Sequence, residues 1–292
     1  MKSASFAYDA PETIDAAVAL LAEHGADAKL LAGGQSLVPL MNLRLAKPSV
    51  LIDINRIASL QYIRLEADGS LAIGAGTRQS AAERSPEIAR RWPVLVEALR
   101  QVGHITIRNR GTIGGTLAHA DPTAELPTLA VALDATFRLI GPRGERTVRA
   151  RQAYLSYLTT VLEPDEILTE VRFPAPAPRS GAAFIEISRR HGDFALVAAA
   201  VTMTVDNAGR CANAAVTLGG VGPTPVLVGP RKGELQGQPL NEATLRDASR
   251  QYTADLNPPT DVHADAEYRS EVAAVLTRRA MALAFERAMK GA

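Results

Sequence analysis

Two glycine pairs with hydroxyl and amide neighbours are the residues most suited to binding an anion. The first lies in Ala32-Gly33-Gly34-Gln35-Ser36, and the second lies in Gly111-Thr112-Ile113-Gly114-Gly115-Thr116. Because glycine has no Cβ, its backbone N–H groups can turn outward and approach a bound group closely. Successive N–H groups form a concave site for phosphate oxygens. One phosphate needs one such site, so two sites suggest a diphosphate, as in FAD or NAD.

Each glycine pair taken alone is also compatible with an ordinary tight turn. The common nucleotide motifs do not decide between a tight turn and a phosphate-binding loop. The chain has no G-x-x-x-x-G-K-[ST] motif, which argues against an ATPase phosphate loop. Its segment "GAGTRQSA" holds only two glycines and is a poor match to the dinucleotide fingerprint of NAD-binding folds. A dehydrogenase with NAD as its bound cofactor is therefore a weak alternative.

Two acidic residues follow the second glycine segment. Asp121-Pro122 is typical of a helix start, with Asp121 at the N-cap and proline at the first helical position. Glu125 would then face outward from the first turn, where its carboxylate could accept hydrogen bonds from ribose hydroxyls. Both acids could equally do no more than complement the positive end of the helix.

The elements around these segments indicate an α+β protein. Helical spacing predicts helices in "PETIDAAVALLAEHG" and "RWPVLVEALRQVG", then from Glu242 to Thr253 and from about 266 to 289. Strands are predicted in "AKLLA", "SVLIDI" and "DEILTEVRFP", in hairpins around Asp68-Gly69 and "GPRGE", and in "AAFIEIS", "ALVAAAVTMTVD" and "CANAAVTLGGVG". The proline-rich segment "PAPAPRSG" predicts a domain boundary near residues 174–181.

Composition excludes several classes of protein. The 292 residues carry a net charge of +1, which argues against a nucleic-acid partner. No apolar run is long enough to predict a membrane span, and the first residues lack the apolar stretch of a signal peptide, so we expect a cytoplasmic location. Cys211 is the single cysteine, and one thiol cannot hold an iron–sulfur cluster. It is expected to be a small core residue at the start of a strand.

Three segments together resemble a known family. They are "AGGQSLVPLMNLRLAKPSVLIDI", "HITIRNRGTIGGTLAHADPTAELP" and "ISRRHGDFALVAAAV". The combination resembles the FAD-binding medium subunits of molybdenum hydroxylases, the group of carbon monoxide dehydrogenase and xanthine dehydrogenase. The resemblance implies a two-part FAD-binding region of the vanillyl-alcohol-oxidase/PCMH type over residues 1–176, with subdomains at about 1–56 and 57–176. A C-terminal α+β domain would occupy residues 177–292.

The resemblance also implies which residues contact the FAD. Both glycine segments would hold its diphosphate, from Ala32 to Ser36 and from Gly111 to Thr116, with the Thr112 hydroxyl among the contacts. The other implied cofactor contacts are Lys29, Leu30, Asp121, Glu125, Leu168 and Phe194. Phe194 could pack against the flavin or gate it, or it could be a core aromatic residue beside a strand. Many relatives have asparagine where this chain has Thr116, which keeps a hydroxyl but has no amide.

The implied function is electron transfer, without catalytic residues or metal ligands of this chain. Electrons would pass from 2Fe-2S clusters in a small partner subunit through FAD to an external acceptor. A large partner subunit would hold the molybdenum cofactor, and the complex would be a dimer of heterotrimers. The FAD would be bound non-covalently, because neither glycine segment presents histidine or cysteine for attachment. The alternatives are a self-sufficient FAD oxidoreductase on a related fold and a non-enzymatic assembly protein without flavin.

Overall fold

The first layer of the protein is a small parallel sheet backed by one helix. A computed structural model describes residues 2–229 and 235–291. Helix α1 (Ile14–His24) begins after Thr13, whose side chain accepts a hydrogen bond from the Ala16 N–H, and ends at Gly25, which has a φ of +54°. Strands of this layer follow the order β1-β3-β2, all parallel: β1 (Ala7–Asp9), β2 (Ala28–Leu31) and β3 (Val50–Asp53). Helix α2 (Leu37–Asn42) connects β2 with β3.

The second layer is an antiparallel sheet with short helices inserted between its strands. The strand order is β4-β5-β10-β6-β7. These strands are β4 (Ile63–Leu65), β5 (Leu71–Gly74), β6 (Thr136–Gly141), β7 (Gly144–Arg149) and β10 (Ile167–Phe173). The helices are α3 (Gln79–Glu83), α4 (Pro86–Arg91), α5 (Pro93–Gln101), α6 (Ile105–Arg108), α7 (Ile113–His119), α8 (Glu125–Ala132) and α9 (Ala150–Ala153). A small hairpin of β8 (Tyr154–Ser156) and β9 (Thr159–Thr160) precedes β10.

The C-terminal part is an antiparallel sheet covered by helices on both faces. Its strands follow the order β11 (Ser180–Ile187), β12 (Val197–Val205), β13 (Cys211–Gly219) and β14 (Val226–Gly229). Side chains alternate between two cores, because successive residues of a strand point to opposite faces. Ala198 and Ala200 face the core that contains α5 and α8, whereas Ala199 and Val201 face α11 (Ala266–Lys290). Helix α10 (Glu242–Thr253) packs beside α11.

Most of the longer predicted elements are confirmed. Helix α10 has the predicted bounds, and α11 begins at the predicted Ala266. Both predicted hairpins form, with β4 paired to β5 and β6 paired to β7. Cys211 begins β13 and is buried, as expected. Among residues 2–229 and 235–291, no helix is long and apolar enough to cross a membrane.

Candidate functional site

The two glycine segments, about eighty residues apart in sequence, touch each other in the fold. A Cβ placed on Gly33 would lie 2.6 Å from the Arg110 carbonyl oxygen and 2.7 Å from the Gly111 Cα. Both neighbours are backbone atoms, which cannot give way as a flexible side chain would. Glycine is therefore required at position 33 because the backbones of the two segments are in direct contact. The sequence prediction that the segments form one site is supported by this contact.

The first segment leaves its backbone N–H groups open. Within the described part of the chain, the N–H groups of Gly33, Gly34, Gln35 and Ser36 donate no hydrogen bond. The carbonyls behind them are occupied instead. Asn55 Nδ2 donates to the Ala32 oxygen at 2.8 Å, and Gln35 Nε2 donates to the Gly33 oxygen at 3.0 Å. Gly34, with a φ of +72°, adopts the left-handed conformation that glycine tolerates. This arrangement fits an anion-binding concavity.

The second segment has a different structure from the one expected. Ile113 to Thr116 form the first turn of helix α7, and Thr112 caps it by accepting a hydrogen bond from the Gly115 N–H at 3.0 Å. The N–H groups of Ile113 and Gly114 donate to the carbonyls of Thr77 and Ala75, at 2.9 and 2.8 Å. The expectation that both segments offer the same open N–H groups is therefore wrong, because helix capping and pairing with the chain after β5 use them.

Gly114 serves close packing. A Cβ on Gly114 would lie 2.3 Å from the Cβ of Ala75, and one on Gly111 would lie 2.5 Å from Gln79 Oε1. Both glycines allow the second segment to lie directly on the chain that leaves β5. The sequence predicts a phosphate-binding loop here, whereas Gly114 lets helix α7 pack against the end of strand β5.

Three polar residues that the sequence analysis did not select connect the two segments: Asn55, Arg78 and Gln79. Arg78 Nη2 donates to Asn55 Oδ1 at 2.7 Å, and Nη1 donates to the Arg110 carbonyl. Arg78 and Gln79 lie in "GAGTRQSA", the segment that matches a dinucleotide fingerprint poorly. The available signal was a polar Arg-Gln pair shortly after the buried strand β5, at the start of helix α3.

Thr116, where the chain departs from many relatives, has a partner inside the protein. Gln79 Nε2 donates to its hydroxyl oxygen at 2.7 Å. The other amide atom, Gln79 Oε1, is buried, and no group in the described residues donates to it. The Thr116 hydroxyl thus joins α7 to the start of α3.

The acidic pair after α7 differs from its predicted arrangement. Asp121 and Pro122 do not start the helix; Asp121 Oδ1 accepts from the Thr123 N–H and hydroxyl at 2.9 and 2.6 Å, and α8 begins at Glu125 after Ala124. Glu125 is 4% exposed, so the expectation that it faces outward is wrong. The pKa of Glu125 is raised to about 8, mainly by burial and further by the nearby Glu186 carboxylate. The hydrogen bonds from Thr123 to Asp121 form a turn, and the helix therefore begins only after it. The Asp-Pro pair in the sequence does not reveal this turn.

The remaining predicted contacts lie on separate elements. Lys29 is exposed and Leu30 half-buried on β2, directly before the first glycine segment. Leu168 is buried on β10 in the core that includes Ile113. Phe194 is 61% exposed between β11 and β12, so its reading as a core aromatic residue is wrong.

Comparison with known proteins identifies the class. Residues 4–176 match the FAD binding domain in molybdopterin dehydrogenase, and residues 182–284 match the CO dehydrogenase flavoprotein C-terminal domain. The 6-hydroxypseudooxynicotine dehydrogenase complex subunit alpha of Paenarthrobacter nicotinovorans is 41% identical, over 99% of this chain and 97% of its own length. The carbon monoxide dehydrogenase medium chain of Hydrogenophaga pseudoflava is 39% identical, over 97% of this chain and 98% of its own.

A solved structure agrees over almost the whole chain. Carbon monoxide dehydrogenase from Hydrogenophaga pseudoflava, in a form without the Mo-pyranopterin moiety, superposes with a TM-score of 0.94 at 39% identity, covering 98% of this chain and 99% of that one. The fold and the site thus define an FAD-binding oxidoreductase subunit. The chain belongs to the family of FAD-carrying medium subunits of heteromeric molybdenum hydroxylases.

Membership of this family confirms the expected fold class, FAD as the cofactor of this chain and electron transfer as its role. The names of the relatives, a complex subunit and a medium chain, mark them as parts of multi-subunit enzymes. No cluster of side chains that could hold a metal occurs in the described residues. The described site fits the cofactor: the open N–H groups of Gly33 to Ser36 suit a diphosphate, and the bare Cα of Gly33 keeps the neighbouring segment close.

Proposed function

We propose that the first glycine segment, Ala32 to Ser36, is the main holder of the FAD diphosphate. The observation that carries this proposal is the row of N–H groups from Gly33 to Ser36, which donate to nothing else in the described chain. A backbone N–H that donates to a phosphate oxygen makes a charge-assisted hydrogen bond, stronger than one between neutral groups. The second segment, Gly111 to Thr116, would close the site mainly through the hydroxyl of Thr112 and through backbone contact.

We assign the other predicted contacts to the remaining parts of FAD. Lys29 and Leu30 precede the first segment on β2 and would flank the adenine. Leu168 and Phe194 would contact the flavin ring, which their apolar side chains suit. Glu125 would bind a ribose hydroxyl; burial raises the pKa of its carboxyl to about 8, which favours the protonated form that can donate as well as accept. The described residues present no histidine or cysteine in the first segment, which favours non-covalent FAD.

We further propose that the chain works between two partner subunits. A large subunit would hold the molybdenum cofactor and the substrate, and a small subunit would hold 2Fe-2S clusters, in a cytoplasmic dimer of heterotrimers. The relatives named above are a "complex subunit" and a "medium chain", which supports a heteromeric assembly. When bound, FAD supplies a site that accepts electrons from the clusters and passes them to an external acceptor. The chain itself positions FAD, and no acid–base residue is needed.

The domain limits proposed from the sequence are 1–176, divided near residue 56, and 177–292. Each part has its own sheet, and the division near residue 56 falls just after β3. Residues between β10 and β11 form no helix or strand, which supports a boundary at 174–181.

One purification tests the assignment. The full-length chain is co-expressed with its genomic neighbours, tagged and purified, and FAD, molybdenum and iron are quantified. We expect one FAD per chain, released by acid, together with a large molybdenum subunit and a small iron–sulfur subunit. A chain that purifies without flavin and takes up no added FAD would refute the assignment. Turnover of an alcohol or similar substrate by this chain alone would instead favour a self-sufficient FAD oxidoreductase.

A further inference from the structure

A chain of side-chain hydrogen bonds joins the first glycine segment to the residue before the second. Starting at the first segment, Asn55 donates to the Ala32 carbonyl, and its own oxygen accepts from Arg78 Nη2 at 2.7 Å. Arg78 then donates through Nη1 to the carbonyl of Arg110, the residue before Gly111. The side chains of Asn55 and Arg78 therefore connect the carbonyl at the start of the first segment with the carbonyl of the residue directly before the second segment.

Peptide geometry shows what this connection does to the N–H groups. In a trans peptide the C=O and the following N–H point in opposite directions across a rigid plane. When Asn55 holds the Ala32 oxygen, it also directs the Gly33 N–H to the opposite side. Gln35, by holding the Gly33 oxygen at 3.0 Å, does the same for the Gly34 N–H. The side chains behind the first segment thus orient its donors before any ligand arrives, which reduces the ordering cost of binding.

The charges around Arg78 also favour binding of an anion between the two segments. Among the described residues, the Asp53 carboxylate is near enough to Arg78 to influence it. Asp53 itself is engaged by Tyr8, whose hydroxyl donates to Oδ2 at 2.6 Å, and by Asn55. The second nearby charge is Arg110, also a cation. The junction of the two segments therefore carries an excess of positive charge, which suits the two negative charges of a diphosphate.

We propose that Asn55 and Arg78 form a latch that fixes the two glycine segments against each other and thereby sets the affinity of the chain for FAD. They are positioning residues: they act through the backbone of Ala32 and Arg110. Gln35 supports the same alignment from within the first segment. The proposal rests on FAD binding by this chain, and an FAD titration distinguishes failure of FAD binding from failure of the role of Asn55 and Arg78.

The test uses the full-length chain in its complex, stripped of FAD and titrated with FAD while flavin fluorescence is recorded. Asn55→Ala removes the hold on Ala32, and Arg78→Gln removes the charge and one of the two bridging bonds. We expect each to raise the dissociation constant of FAD about tenfold or more, since hydrogen bonds to charged groups have this weight. Arg78→Lys, which keeps the charge, should recover part of the loss. The double variant should bind FAD only slightly more weakly than the single variant with the lower FAD affinity, because both residues act in one chain of hydrogen bonds.

Controls separate positioning from general damage. Arg90→Gln alters an exposed arginine paired with Glu87 and should leave FAD affinity unchanged. The melting temperature of the FAD-free variants should stay near that of the wild type, and the visible circular dichroism of bound flavin should change. Should Arg78→Gln fail to fold, Asn55→Ser and Arg78→Lys provide the comparison. Wild-type protein that binds FAD, with Asn55→Ala and Arg78→Gln equally tight, would overturn the latch. Wild-type protein that binds no FAD would overturn the function instead.

Discussion

Replacing Gly33 by alanine should separate the two glycine segments. The added Cβ would lie 2.6 Å from the Arg110 carbonyl oxygen, whereas ordinary contact begins near 3.4 Å, so the backbones must part by 3.4 − 2.6 = 0.8 Å. The two nearest atoms, the Arg110 carbonyl oxygen and the Gly111 Cα, belong to the backbone and not to a flexible side chain. Gly33 has no positive φ, so steric contact alone produces the effect.

Two quantities should change. Overpacking of this kind typically costs about 1–3 kcal/mol, so the free energy of unfolding should fall by about that amount. A shift of the N–H groups by most of an ångström should weaken at least one hydrogen bond to a phosphate, which corresponds to an increase of roughly tenfold or more in the dissociation constant of FAD.

Urea unfolding of FAD-free protein measures the first quantity, and fluorescence titration with FAD measures the second. Gly291→Ala is the matched control, because the nearest atom to its Cβ would be 3.7 Å away. A Gly33→Ala protein with unchanged FAD affinity and unchanged stability would show that the two glycine segments do not touch at Gly33 as described.

Three further predictions address other parts of the structure. Gly114→Ala places a Cβ 2.3 Å from that of Ala75, so it should lower stability even without FAD; adding Ala75→Gly should restore part of the loss in urea unfolding. The pKa of Glu125 is raised by burial from 4.5 to about 8, so the folded state binds more protons than the unfolded state, and stability should fall as pH rises through that range. Glu125→Gln should flatten this part of the urea-derived pH profile, and an unchanged slope would contradict the assignment. Arg287 pairs with Glu97 at 2.7 Å across α11 and α5, and Arg287→Ala should lower the free energy of unfolding by about 1 kcal/mol, less at high salt. A loss that salt does not change would argue against the ion pair.

Elements with long, regular patterns were predictable from the sequence. The hydrophobic spacing of α10 and α11 and the turn residues between β4 and β5 are local signals, and the structure confirms them. The short helices α3, α4 and α6 were missed, because four to six residues give too little periodicity and tertiary contacts decide their form.

The site was predictable only in part. Gly33 was recognised from residue type, yet its partner across the contact, Arg110, is fixed by long-range folding that no local pattern encodes. Asn55 and Arg78 were missed for the same reason, since each is an ordinary polar residue until the fold brings it between the segments. Glu125 was predicted to face outward, but it is buried, and the Glu186 carboxylate of β11 lies near it although it is about sixty residues away in the sequence.

Helix α8 has a consequence for how such chains can be recombined. All eight of its residues are buried, between the core of the FAD-binding region and one face of the C-terminal sheet. The proline-rich segment at 174–181 therefore separates two stretches of the sequence whose side chains pack into one common core. A chimera that joins the FAD-binding region of this chain to the C-terminal domain of a relative would place a foreign sheet against α8. Such a hybrid should fold only when α8 is transferred together with the sheet that it supports.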